Sequence, residues 1–132
     1  MVEFSMYGDE FPIDYVTKEL GIEPTETYKK GDVILKSPNP NVMTKDRYRI
    51  ETAWTLSTGY QESYDVKEQI AQILGQLKSK SDTINHLKAE NNLECLFSIV
   101  IIMENGFTPG MHLDNQQIEF ANSIKAEFDI DL

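Results

Sequence analysis

Cys95, His112 and Asp114 are the residues whose types could assemble a nucleophile. An imidazole placed between a thiol and a carboxylate can take the thiol proton, while the carboxylate orients the ring. Cys95 is the only cysteine, and it sits at the apolar run ending in Met103, where a buried and inert thiol is expected instead. A lone cysteine also excludes an internal disulfide and any cysteine-based zinc site. His86 is the other histidine and stands among Lys and Asn residues, as a solvated imidazole would. Asp129 and Asp131 place two carboxylates on one strand face, a pattern that an acidic chain also produces by chance. No glycine-rich phosphate loop, Gly-x-Ser-x-Gly elbow or His-Glu-x-x-His is present. No catalytic residue, metal or cofactor is therefore expected.

The aromatic residues carry the remaining candidates. Trp54 reads as core, with a ligand-stacking platform as the alternative. Tyr60 and Tyr64 flank a short polar connection that also holds Glu62 and is followed by Asp65. Amphipathic aromatics beside carboxylates mark a contact surface. Phe4 and Phe97 sit on strands and could stack nucleotide bases, but such a sheet needs basic neighbours.

Charge decides against that last reading. Twelve basic and twenty-two acidic residues leave a formal net charge of −10 over 132 residues. Nucleic acid and anionic membrane surfaces are repelled by such a field, whereas a basic protein partner is attracted and its arrival accelerated. Plain solubility is the other use of the same charge. The N-terminal residues lack the basic and apolar regions of a signal peptide, and no apolar run is long enough to span a bilayer. A cytoplasmic location is the expectation.

The elements that must position these residues follow from periodicity. The whole chain, residues 1–132, reads as one α+β domain. Val2, Phe4 and Met6 alternate with Glu3, Ser5 and Tyr7 as in a half-buried strand. Pro12 opens a helix with Ile13, Val16 and Leu20 on one face; Gly21 ends it, Ile22 folds back and Pro24 prevents its resumption. The chain is then extended from Thr25 to Lys36 with a bend at Gly31, and loops from Ser37 to Asp46. A single strand is expected over Tyr48–Ser57, with Tyr48, Ile50, Trp54 and Leu56 facing one way and Arg49, Glu51, Thr55 and Ser57 the other. Asp65 and Glu68 start a helix with the stripe Val66, Ile70, Ile73, Leu74 and Leu77, in which Gly75 allows close packing. Ser81 caps a further helical stretch with Ile84 and Leu87. The segment from Leu93 to Met103 is apolar on both faces and belongs inside the sheet. Asp114 and Gln117 open a last helix with Ile118, Ala121 and Ile124 inward, and Phe128–Leu132 alternates as a short final strand. The order predicts a ferredoxin-like split βαβ sandwich, with a mainly antiparallel sheet and helices on one face.

The chain resembles an uncharacterised bacterial family, the domain of unknown function numbered four-two-seven-nine. The resemblance is carried by Thr17, Leu20, Gly21, Pro24 and Thr25 in the helix stop, by Gly31 and Asp32 in Lys-Gly-Asp, by Trp54 in Ala-Trp-Thr-Leu, and by the closing Phe128–Asp131. Leu132 stands where the family closes on an aromatic. The resemblance implies a small intracellular bacterial or phage-associated domain and transfers no catalytic residues.

Three readings are set against one another. The first is a non-enzymatic binding module of immunity or antitoxin type that covers a basic protein, with Tyr60, Glu62, Tyr64, Asp65 and the loop from Ser37 to Asp46 as its surface. The second is a small-molecule or metal-binding enzyme with a cleft near Trp54, Asp32 and Tyr28. The third is a homodimer that buries an open sheet face.

Overall fold

The computed structural model describes residues 1–34, 47–62, 65–102, 106 and 110–131. The loop at 37–46, Tyr64, the expected turn residues Asn105 and Pro109, and Leu132 lie outside them. In chain order the elements are β1 (Val2–Gly8), α1 (Ile13–Leu20), β2 (Glu26–Tyr28), β3 (Val33–Ile34), β4 (Arg47–Tyr48), β5 (Thr52–Ser57), α2 (Val66–Leu77), α3 (Ser81–Asn91), β6 (Glu94–Val100), α4 (Asn115–Ser123) and β7 (Glu127–Asp131).

The main sheet has the strand order β2-β5-β1-β6-β7. β1 is antiparallel to β5 and β6, and β2 is antiparallel to β5. β1 and β2 are therefore parallel, joined through α1 across β5; β5 and β6 are parallel, joined through α2 and α3 across β1. These two interlocked split βαβ units are the ferredoxin-like arrangement. α4 then leads to β7, which extends the sheet by pairing in parallel with β6. β6 thus lies inside the sheet, as its two-sided apolar pattern requires.

Alternation along the strands puts one face of the sheet against the helices. Val2, Phe4 and Met6 of β1, Trp54 and Leu56 of β5, and Cys95, Phe97 and Ile99 of β6 join the inward residues of all the helices in a single core. Each fully buried aliphatic side chain contributes about 1.5–3 kcal/mol by leaving water. Aromatic contacts run through this layer from Trp54 through Phe4 and Phe97 to Phe128, the last pair stacked at 5.2 Å. α1 ends at Gly21, whose φ of +69° is the left-handed cap conformation.

Three expectations are corrected. The segment before Thr52 does not continue β5: Arg47 and Tyr48 pair instead with β3 in a separate two-stranded ribbon, and the chain bends at 50–51. Tyr48 and Ile50 consequently face solvent, 54 % and 84 % exposed, where one unbroken strand would have turned them inward. Gly75 is exposed and an added Cβ there would meet no atom, so it serves no close packing. In α4 the inward residues are Gln117 and Ala121, followed by the buried C-cap Ile124, and Ile118 is exposed. The capping box between Asp114 and Gln117 fixes that rotation, because it requires Gln117 to turn back toward the helix start.

Candidate functional site

The face of the sheet away from the helices carries the opposite alternation, and its polarity is what the strand sequences supply. Register places Tyr28 of β2 opposite Ala53 of β5, Ala53 opposite Tyr7 of β1, and Tyr7 opposite Glu94 of β6. The adjoining row runs Glu26, Thr55, Ser5, Leu96 and Glu127. The next contains Glu3, Ser98 and Asp129. Small residues in the middle strands and large ones beside them make a groove of about 440 Å³. Its floor is Ala53, Thr55 and Ser5, and the Ser5 and Thr55 hydroxyls are hydrogen-bonded to each other at 2.9 Å.

The rim of this groove is built by the turn that follows β2. Gly31 has a φ of +92°, a conformation that side-chain-bearing residues seldom adopt. The turn is held by the Asp32 carboxylate, which accepts from the Lys29 N–H at 2.8 Å. Gly31 N–H donates to the Arg49 carbonyl and Arg49 N–H donates to the Asp32 carbonyl, both at 2.8 Å. Buried Thr52 accepts from Lys30 N–H and donates to the Asp9 carbonyl. Arg49 is thereby seated with its guanidinium carbon 4.0 Å from the Tyr28 ring centroid, a cation–π contact. Glu51, in the bend before β5, completes the lining.

Electrostatics follow from this crowding of acids. Partial burial, and then the neighbouring Glu26, push the Glu3 carboxyl above its ordinary value, with the N-terminal ammonium opposing them. Burial, the hydrogen bond from its hydroxyl to Glu94 at 3.1 Å, and the charges of Glu94, Glu127 and Glu51 push the Tyr7 phenol up to about 12. Arg49 is the only basic side chain lining the groove among the described residues. The site offers carboxylate acceptors, phenol rings and a floor whose hydroxyls are already paired. That chemistry suits a cationic group better than an anionic one.

The residues singled out from sequence fall elsewhere. Tyr60 is 66 % exposed and Glu62 is exposed, both on the connection from β5 to α2. Asp65 is the N-cap of α2 and accepts from Lys67 N–H at 2.9 Å. Trp54 is fully buried in the core, on the opposite face of β5 from Ala53 and Thr55, so it lines no cleft. Of the three residues proposed for that cleft, Tyr28 alone lines the groove, while Trp54 and Asp32 support its frame. The conceived nucleophile does not assemble: Cys95 is buried with its thiol pushed up to about 12 by desolvation, His112 is exposed, and Asp114 caps α4. Phe4 and Phe97 belong to the core and present no ring to a base. Among the described residues, no group of three or more His, Cys, Asp or Glu side chains is placed to hold a metal ion, and no helix is long and apolar enough to cross a membrane.

The groove residues Glu3, Tyr7, Glu26, Arg49 and Glu51 were missed because they are scattered along the chain and meet only through strand order. The outward alternation of Glu3, Ser5 and Tyr7 was their available signal.

The fold and this face define an acidic α+β domain of ferredoxin-like topology with one carboxylate-rich sheet face. Over its full length, residues 1–132, the chain matches and belongs to the family Domain of unknown function (DUF4279). Comparison with curated proteins and with solved structures finds no match.

Proposed function

We propose that the protein is a non-enzymatic binding module that engages a basic protein partner, as an immunity or antitoxin protein does. The observation that carries this reading is the concentration of Glu3, Glu26, Glu94, Glu127 and Asp129 on the sheet face away from the helices, with Glu51 at its rim. Such a face steers a basic partner into encounter and resists nucleic acid. Two copies meeting through it would oppose like charges, so the reading favours a different protein over a homodimer across this face. The exposed Tyr60 and Glu62 form a secondary contact region, beside Tyr64 and Asp65, in the same reading. A cytoplasmic setting is part of the same reading.

The test is affinity capture from native-host lysate with wild-type protein and with the double variant Glu26→Lys, Glu51→Lys, at low and moderate salt. Basic proteins retained by the wild type at low salt, and lost both on raising salt and on charge reversal, are the expected result. Capture that is indifferent to both changes would overturn the reading.

A further inference from the structure

We propose that the groove is an arginine-reading site: a partner's arginine side chain stacks on Tyr28 in the place now held by Arg49, with its charge met by Glu26 and Glu3. This rests on the reading that the acidic face binds a basic protein, and it names the side chain that the face selects.

Three features of the groove favour a guanidinium over an ammonium. Arg49 already demonstrates the fit, with its guanidinium carbon 4.0 Å from the centre of the Tyr28 ring. An arginine is planar and weakly hydrated, so it stacks on an aromatic face at lower desolvation cost than a lysine. Tyr28 and Tyr7 flank Ala53 in one cross-strand row. They stand two strand spacings apart, about 9–10 Å between backbones. Ala53, the residue between them, carries only a methyl group, and the Tyr7 hydroxyl donates to Glu94 on the far side of β1. Carboxylates at Glu26 and Glu3 lie in the next rows, where the forked donors of an arginine entering along the groove would meet them.

Arg49 then acts as an internal occupant. Bound to the ring in the free protein, it gives the acidic groove a cation of its own, and the partner's arginine displaces it.

The probes are hexa-arginine and hexa-lysine peptides, titrated at low ionic strength and followed by calorimetry and by NMR of the Arg49 side chain and the Tyr28 ring. Equal charge in the two peptides cancels the general electrostatic attraction. Wild type is expected to prefer hexa-arginine about threefold to tenfold, the range of a partly desolvated cation–π contact. The Arg49 signals should shift as the side chain leaves the ring. Tyr28→Leu should abolish the preference while retaining salt-dependent binding of both peptides. Arg49→Ala should widen the preference by removing the competitor, a gain that damage to the fold would not produce. Equal affinities for the two peptides, unchanged in either variant, would overturn the arginine site and leave the basic-partner reading standing. Failure of both peptides to bind the wild type would overturn the two together.

Discussion

The Trp54 indole N–H donates to the Thr17 hydroxyl at 3.0 Å, which pins the largest side chain of the core to the middle of α1. The bond joins the inner face of β5 to the first crossover helix, so two of the positions that carry the family resemblance meet in space. Their neighbours do comparable work. Leu20 is fully buried, Gly21 caps α1 in the left-handed conformation, and Pro24 leads the chain out toward β2. The Thr25 N–H donates to the Thr55 carbonyl and its hydroxyl accepts from Ser57 N–H, starting the pairing of β2 with β5. Gly31 and Asp32 shape the turn that seats Arg49. These residues build the frame of the groove and leave its lining to others.

Thr17→Val keeps the shape of the threonine and removes the acceptor. It is expected to cost about 1–3 kcal/mol by leaving a buried N–H without a partner. In a Trp54→Phe background, which lacks that N–H, the same change should cost nearly nothing. Chemical denaturation of the four proteins of the cycle gives the coupling directly. Additive losses would show that the hydrogen bond does not contribute to stability.

Cys95 gives a prediction about reactivity. Its side chain is buried on the core face of β6, and desolvation raises its thiol to about 12. At neutral pH the thiolate is nearly absent in the native protein, and the reagent has no access to it. Iodoacetamide should leave native protein unmodified over a period in which denatured protein is fully alkylated, as read by intact mass. Rapid native labelling would place the thiol at the surface.

The elements that could be read from the sequence were those whose periodicity ran uninterrupted. β1 alternates strictly, α1 is bounded by Pro12 and Gly21, and β6 is apolar on both faces, so each was legible from local physics. The segment at 48–57 misleads because Tyr48 and Ile50 keep the alternation of Trp54 and Leu56, although Tyr48 belongs to another ribbon and Ile50 to the bend; periodicity carries no mark of that bend. The groove was illegible for a different reason. Tyr28, Ala53 and Tyr7 become a row only when β5 is inserted between β1 and β2, a fact of topology that no local pattern encodes. Asp65 was legible as the start of α2, because an aspartate just before an apolar helical stripe is a cap by type and place, and its carboxylate accepts from the Lys67 N–H.

Gly75 lies in the interior of α2 with an exposed position and open space where a Cβ would stand. Alanine there restricts the unfolded chain and removes the helix penalty of glycine without any steric conflict. Gly75→Ala should raise stability by about 0.5–1 kcal/mol, seen as a higher denaturation midpoint with an unchanged slope. A loss of stability would mean that the position is packed in solution.

The pH dependence of stability tests the electrostatics of the groove without any partner. Glu3 has its carboxyl raised in the folded state, first by burial and then by Glu26. The fold therefore holds the Glu3 proton more tightly than the unfolded chain does. That contribution to stability is fully present below the ordinary value of 4.5 and is lost as pH rises through the higher folded value. At neutral pH an ionised Glu3 is a cost, moderated by its partial exposure to solvent. Glu3→Gln should accordingly melt at a higher temperature than wild type at pH 7, and the two should converge as pH falls below about 4. Glu26→Gln should shrink the gap between wild type and Glu3→Gln, because it removes one of the charges that make ionised Glu3 unfavourable. A Glu3→Gln protein less stable than wild type at pH 7 would show that the opposing charge of the N-terminal ammonium outweighs burial and Glu26 together.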